Sequence, residues 1–388
     1  MKKIERIQIS QSELSRRWKS IREALGKKGI DCLVMQNTNQ YLGGYVRYFT
    51  DIPAATYGLS VVFPLNDEMT IVTHGGPPDF PPDRKIFGVK KRVILPYIQT
   101  LNFTNTMDAN AIVETLKEQK VKAVGFVSKA SMSASFYEYI RQKLPETEFY
   151  DATDLVDEIK TVKSDEEIEL IKKAIELHDK VFEATLPLIR PGVGEYEVSS
   201  EIQRLTINMG SEYGQNMVGS APPGTPARQL PRLMQNRELK QGDQVCIMIE
   251  VNGPGGFYGE IGRTVCIGTA PRSLLDVWRD GVEVQDRNAE LMKPGANPSE
   301  LFAMHNKLLS NMKYPIEGRI HSHGQGYDMV ERPGIRTEET MKIQTGMHMA
   351  IHPLMLTKEA LAFCCDNYLV TKSRAVRLSK TAREIFVV

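Results

Sequence analysis

The sequence predicts two domains, an α/β domain over residues 1–157 and an α+β domain over residues 158–388. Three observations predict them. Before Asp157, short apolar strand patterns alternate with helix patterns, the signature of a partly parallel sheet. Beyond it, long capped helices flank a mostly antiparallel set of strands. The composition, 388 residues with 41% hydrophobic and 25% charged, suits two soluble globular cores.

The elements follow in order. Ser12 to Lys28 reads as a helix, with Ser12 as a possible cap and Gly29 as the stop. Asp31 to Met35 reads as a short buried strand. Tyr41 to Asp51 is aromatic and Gly-rich, with one exposed-looking cation, Arg47. Leu59 to Phe63 and Met69 to Thr73 pair across a turn at Asn66-Asp67. Gly75 to Pro82, GGPPDFPP, excludes regular structure. Ala111 to Gln119 is a helix, Ala123 to Val127 a strand, and Ala130 to Leu144 a helix. In the second domain, Ser164 and Glu167 form a capping box before the apolar positions Ile168, Ile171, Ala174 and Ile175. Pro191-Gly192 ends that helix, and Glu195 to Met209 forms another. Gly219 to Pro231 reads as a Gly/Pro-rich loop. Leu274 to Met292 and Pro298 to Met312 are helices. His321 to Pro333 is a loop with two histidines, and Gly346 to Pro353 and Ala362 to Thr371 are strands.

The chemistry points to Gly242–Thr264, GDQVCIMIEVNGPGGFYGEIGRT. It reads as a hairpin whose strands flank a Gly/Pro turn at Asn252 to Gly256. Side chains alternate along a strand, so Met248 and Glu250 share a face. Glu260 lies inside the second strand, and Tyr258 shares its face. A carboxylate in an apolar hairpin is costly unless it is paired, hydrogen-bonded or in use. An ion pair with Arg263 is the simplest alternative for Glu260, and solvent exposure near the turn is the simplest for Glu250.

Charge and cysteine usage narrow the function classes. The formal net charge of +1 gives no global pull towards nucleic acid or anionic lipid. Five scattered cysteines lack zinc-ribbon spacing and fit a reduced, cytoplasmic compartment. The charged start MKKIERIQIS does not read as a signal peptide, and no apolar run is long enough to span a bilayer.

Seven segments, VKSDEEIELIKKAIEL, RPGVGEYEV, LKQGDQV, GEIGRT, SHGQGYDMVERP, GMHMAIHP and DNYLVT, occur in one order. Together they resemble the creatinase/aminopeptidase P family with its pita-bread catalytic domain. The resemblance covers essentially the whole chain. It implies a creatinase-like N-terminal α/β domain and a homodimer. The family's metal-dependent peptidases place two Asp on the hairpin, one His in the loop and two Glu on the last strands. By that pattern the positions fall on Met248, Glu260, His323, His352 and Cys365. A dinuclear site for hard ions needs carboxylate bridges, which Met248, His352 and Cys365 cannot provide.

The resemblance then implies a site without metal, as in creatinase, which cleaves a C–N bond in a small zwitterion. Glu260 and His323 resemble two of its residues, and His352 joins them as a second acid–base group. Cys365 stands where creatinase has a Glu, which counts against creatine as the substrate. As a nucleophile Cys365 would need a depressed pKa; Cys364 and Asp366 would face away from it. Arg332 lies near a family Arg that holds substrate carboxylate, and Arg47 matches a partner-donated Arg of the N-terminal loop. Arg232, with Arg228 nearby, falls closest to a creatinase His. The expected partner is a small carboxylate-bearing substrate, with no nucleic acid and no membrane. Two alternatives stay open: a mononuclear metal enzyme built on Glu260, His323 and His352, and a binding protein that has lost its chemistry.

Overall fold

The computed structural model describes residues 7–37, 41, 43–53, 58–75, 86–96 and 101–388, with side chains from residue 105 in the last segment. It divides into two compact units, Gln8–Lys160 and one built from Thr161–Val388.

In the first unit, α1 (Gln11–Lys28) is capped by Ser10, whose side chain accepts from the Glu13 amide. The cap is therefore one turn-residue pair earlier than Ser12. Gly29 ends the helix at φ 67°, a left-handed conformation suited to glycine. The strands are β1 (Cys32–Asn37), β2 (Leu59–Pro64), β3 (Met69–His74), β4 (Val89–Leu95), β5 (Ala123–Phe126) and β6 (Glu148–Asp151). They form one six-stranded sheet in the order β4-β3-β2-β1-β5-β6. Helices α2 (Gly44–Thr50), α3 (Leu101–Glu118), α4 (Ala134–Lys143) and α5 (Thr153–Lys160) complete the unit. Val34, Val62, Val72, Ile112, Leu116, Val124, Phe126 and Ile140 share one buried cluster, so α3 and α4 cover the sheet. The Tyr41–Asp51 stretch, expected as an aromatic loop, is largely α2, because its apolar residues bury a short helix face. Most of the GGPPDFPP stretch lies outside the described residues.

In the second unit, α6 (Asp165–Thr185) starts at the Ser164–Glu167 capping box. Then come α7 (Glu195–Asn208), β7 (Gly214–Ala221), β8 (Gln244–Asn252), β9 (Tyr258–Cys266), α8 (Arg272–Leu291) and α9 (Pro298–Asn311). The remaining strands are β10 (Ser322–Gly324), β11 (Glu331–Gly334), β12 (His348–Ile351), β13 (Leu354–Leu356), β14 (Leu361–Phe363), β15 (Asp366–Val370), β16 (Ala375–Arg377) and β17 (Phe386–Val387). They form sheets β17-β9-β8-β7, β11-β10-β12-β15-β16 and β13-β14. The expected loop at Gly219 is the end of β7, and the expected single strand over 362–371 breaks at Cys364-Cys365. Among the described residues, no helix is long and apolar enough to cross a membrane.

The β8–β9 hairpin is buried along its whole length. One face, Ile247, Ile249, Val251, Ile261 and Val265, packs in a single cluster with Leu177, Val181, Val198 and Ile202 of α6 and α7. The other face carries Cys246 and Met248 into a small cluster with Phe363 and Cys365. Gly262 makes this approach possible. A Cβ there would lie 2.7 Å from the Phe363 ring and 2.9 Å from the Cys365 Cβ. Its backbone pairs with Cys365 in both directions at 3.2 Å.

Candidate active site

The site is assembled from the polar face of the hairpin and the strands packed on it. Glu250 lies directly opposite Glu260 in the β8–β9 ladder, whereas Met248 lies opposite Gly262. Glu250, rather than the Met248 reached by counting along the chain, is thus the residue that stands opposite Glu260. The shift arises because cross-strand pairing is set by the turn. Glu250 is also buried rather than solvated near the turn, with 4% of its surface exposed.

Glu260 is fully buried. Asn367 on β15 holds its backbone, accepting from its N–H at 3.1 Å and donating to its carbonyl at 2.6 Å. Its carboxyl is ringed by donors without charge. Cys365 Sγ donates to Oε1 at 2.8 Å, and Gln325 Nε2 donates to Oε2 at 3.1 Å. The Glu250 carboxyl is hydrogen-bonded to it, and Gln215 Nε2 donates to Glu250 at 3.0 Å. Two imidazoles face the same carboxyl. His323 Nε2 lies 3.8 Å from Oε2, and His352 Nε2 lies 3.8 Å from Oε1. The two rings are 5.2 Å apart.

Burial sets the protonation states. It pushes the Glu260 carboxyl well above the ordinary range, and the neighbouring Glu250 charge adds to this. Burial also raises Glu250. Two carboxyls this close cannot both ionise cheaply, so they share a proton. Burial pushes His323 down to about 4 and His352 well below its usual value, so both rings are neutral at pH 7. His323 Nδ1 lies 3.0 Å from the Gly324 carbonyl, which can only accept, so Nε2 carries the lone pair. Burial and then Glu260 push the Cys365 thiol up. It is a hydrogen-bond donor here, and a raised thiol lacks the depressed pKa that a nucleophile needs. Cys364 faces the other way, towards Gln285 and Asp366.

Arg263 does not pair with Glu260. Its buried guanidinium binds Asp366 at 2.7 Å and the Cys365 carbonyl at 2.9 Å, which anchors the chain beside the site. The three expected substrate cations all have protein partners. Arg332 makes a double contact with Glu339, 2.6 Å from Nη2 and 3.1 Å from Nε, because a turn brings that acid back. Glu331, next to Arg332 in the chain, pairs with Lys163. Arg232 is exposed on a short turn after β7 and contacts Gln203 on α7. Arg47 is not exposed; it is buried on α2 of the first unit beside Asp51. Tyr258 is buried on the face of Glu260, and its amide donates to the Gly326 carbonyl at 2.7 Å.

Sequence reasoning missed Gln215, Gln325 and Arg319. Gln215 is the β7 residue opposite Glu250, a signal that needs the strand register. Gln325 sits between two glycines of the histidine loop, where its polarity alone marked nothing. The Arg319 guanidinium lies over the Phe363 ring, 5.9 Å from its centroid.

Three donors of the site, Glu260, His323 and His352, have ligand atoms within 4.8 Å of one another and could hold an ion. The expectation of a metal-free site therefore meets a donor set that fits one. Met248 and Cys365, which offer no carboxylate, pack together beside it.

A two-domain architecture with a buried carboxyl–imidazole site is what the fold and geometry define. Residues 169–377 match metallopeptidase family M24, and residues 17–162 match the creatinase/prolidase N-terminal domain. The chain belongs to the M24, or creatinase/aminopeptidase P, family. It is similar to an Xaa-Pro dipeptidase of Pyrococcus furiosus, 26% identical over 349 residues, which is 87% of this chain and 94% of that protein. It is also similar to a creatinase of a Bacillus species, 22% identical over 376 residues, covering 90% and 85%. The fold is that of an X-Pro aminopeptidase from Thermotoga maritima, with TM-score 0.80, 19% identity and coverage of 96% and 99%.

Proposed function

We propose that the chain hydrolyses a C–N bond in a small amino-acid derivative, using the Glu250–Glu260 pair, His323 and His352 for acid–base chemistry. The observation that carries the proposal is the fully buried Glu260 carboxyl, held by Cys365, Gln325 and Glu250 and faced by two neutral imidazoles at 3.8 Å. A neutral Nε2 on His323 can accept a proton from water, and the shared carboxyl proton can pass to the departing nitrogen. His352 is the second imidazole within reach of the same carboxyl. The curated relatives support the reaction class, since an Xaa-Pro dipeptidase and a creatinase both break C–N bonds.

A second version has one divalent ion. Glu260, His323 and His352 would hold it, and His323 already directs its other ring nitrogen to a backbone carbonyl, as metal-bound imidazoles do. When bound, such an ion would supply Lewis acidity and a more acidic water. A homodimer in a reducing compartment such as the cytoplasm is part of the proposal. The five free cysteines support the compartment, and equilibrium sedimentation tests the dimer.

The decisive measurement is product release from Xaa-Pro dipeptides, N-acyl amino acids and guanidino acids. Glu260→Gln should lower kcat at least about 100-fold with little change in KM. Full turnover by that variant would overturn the role of Glu260. Elemental analysis of protein dialysed without chelator separates the two versions.

A further inference from the structure

We propose that Asn367 is the residue that positions Glu260 for its chemistry, its carboxamide standing in for a rung of backbone pairing between two sheets. This rests on the hydrolase reading above and adds a positioning residue to it. Strand β9 belongs to one sheet and β15 to another. The two chains meet at Gly262 and Cys365, whose backbones bond in both directions at 3.2 Å. Arg263 ties this junction, since its Nη1 donates to the Gly262 carbonyl at 2.7 Å and to the Cys365 carbonyl at 2.9 Å. Two residues further along, at Glu260 and Asn367, the side chain takes over from the backbone. Asn367 Oδ1 accepts from the Glu260 N–H at 3.1 Å, and Nδ2 donates to the Glu260 carbonyl at 2.6 Å. A carboxamide carries the donor and acceptor of a peptide group, so it satisfies both backbone groups that a neighbouring strand would have taken.

The carboxamide is itself held in one orientation. Nδ2 reaches Ser379 Oγ at 3.3 Å, and the Asn367 backbone N–H donates to the same oxygen at 3.1 Å. The Asn367 carbonyl accepts from the Leu378 N–H at 2.8 Å. Two acceptors face Nδ2 and one N–H faces Oδ1, which fixes the way the amide points. Asn367 also acts together with a neighbour. Residues two apart on an extended chain share a face, and Cys365 and Asn367 both reach Glu260. The thiol holds its carboxyl at 2.8 Å, and the carboxamide holds its backbone. Asp366 between them points away, to Arg263. One short stretch of chain therefore holds Glu260 at both ends, which sets its carboxyl against His323 and His352. Asn367 and Glu260 are both fully buried, so water does not replace the carboxamide.

Asn367 bonds the backbone of Glu260 and not its carboxyl, so the test must read the carboxyl as well as the fold. The S–H stretch of Cys365 does so, because a thiol that donates to an oxygen absorbs at lower frequency than one that does not. Infrared difference spectra against Cys365→Ala assign the band among the five cysteines. Three variants are compared by this band, by urea unfolding, and by turnover of Xaa-Pro dipeptides, N-acyl amino acids and guanidino acids. Asn367→Asp keeps the shape and the acceptor but loses the donor. Asn367→Ser takes the side chain out of reach, and Ser379→Ala removes only the outer anchor. In both Asn367 variants the band should rise towards the unbonded frequency, and kcat should fall about 100-fold with KM within about 3-fold. Ser379→Ala should move the band and kcat the same way by less. An unmoved band in a folded Asn367 variant overturns the proposal, whatever happens to stability or turnover. If neither Asn367 variant folds, Ser379→Ala decides, and an unmoved band there overturns it. A shifted band with full turnover upholds Asn367 and overturns the role of Glu260. If the wild type turns over none of these compounds, the band alone decides: a shift upholds Asn367 while overturning hydrolysis of these substrates.

Discussion

Two buried acids stand side by side in the second unit and are treated in opposite ways. Asp366 receives Arg263 at 2.7 Å, Arg377 at 3.4 Å and Gln285 Nε2 at 3.2 Å. Glu260, three residues from that same Arg263 in sequence, receives only a thiol, an amide and another carboxyl. Both acids are fully buried. Burying a charge is costly unless it is paired, so a fold that only needed glue would have paired both. The unpaired acid is the one that faces the imidazoles. Compensation marks the frame of the site, and its absence is what supports Glu260 as a working group.

The strongest way to break this contrast is to remove the pairing cation. Arg263→Leu leaves Asp366 buried without its main partner and frees the Cys365 carbonyl. The expected cost is about 3–5 kcal/mol, read by urea unfolding. A loss below ~1 kcal/mol would mean that Arg377 and Gln285 suffice, and the contrast would fail.

Asp108, in the first unit, is an intermediate case that sharpens the comparison. Its carboxyl meets His74 Nε2 at 2.8 Å and Gln36 Nε2 at 3.1 Å, a weaker compensation than a guanidinium fork. Burial pushes it up from 3.8 to about 6, with His74 and Gln36 opposing the rise. A raised folded pKa gives stability that is full below about pH 4 and is lost as pH rises through about 6. Asp108→Asn should remove a pH-dependent term on the order of 1–3 kcal/mol over that window. Unfolding curves at pH 4.5 and 7 for both proteins check it. The same slope in both would relieve Asp108 of the role.

The packing between the two acids gives a smaller effect. Gly262→Ala inserts a methyl between the Phe363 ring and Cys365, where 2.7 Å and 2.9 Å are available. The strand must move or the rings must shift, at roughly 1–2 kcal/mol. Because Cys365 donates to Glu260, turnover should fall as well. Unchanged stability would show that Phe363 yields freely.

How much of this could be read from the sequence follows from the range of each interaction. The hairpin was legible because alternation and a Gly/Pro turn are local. Glu260 was legible because an acid among Ile261, Val265 and Cys266 is out of place in an apolar strand. The cross-strand partner was not legible by counting, since the turn sets the register, and Glu250 rather than Met248 stands opposite Glu260. The partners of the arginines were not legible either. Arg332 finds Glu339 through a local turn, and Arg319 reaches Phe363 from the segment between α9 and β10. Helix α2 was hidden in a stretch whose glycines suggested a loop. Charge partners depend on how turns and strands are placed, and residue type alone carries no sign of them.

The smallest expected effect is also the sharpest. Glu260→Gln keeps the volume of the side chain and one carbonyl acceptor. It removes a buried ionisable group that no lysine or arginine contacts, and it ends the competition with Glu250 for one proton. Asp366→Asn makes the same chemical change at a site with two guanidinium partners, where it strips a charge that those partners need. The first substitution should change stability at pH 7 by less than about 1 kcal/mol, in the stabilising direction. The second should destabilise clearly, since it leaves Arg263 buried without its counter-charge. Paired unfolding curves for the two variants read the difference directly. If both substitutions destabilise equally, Glu260 contributes to the frame as much as Asp366 does, and its lack of a cation no longer singles it out as a working group.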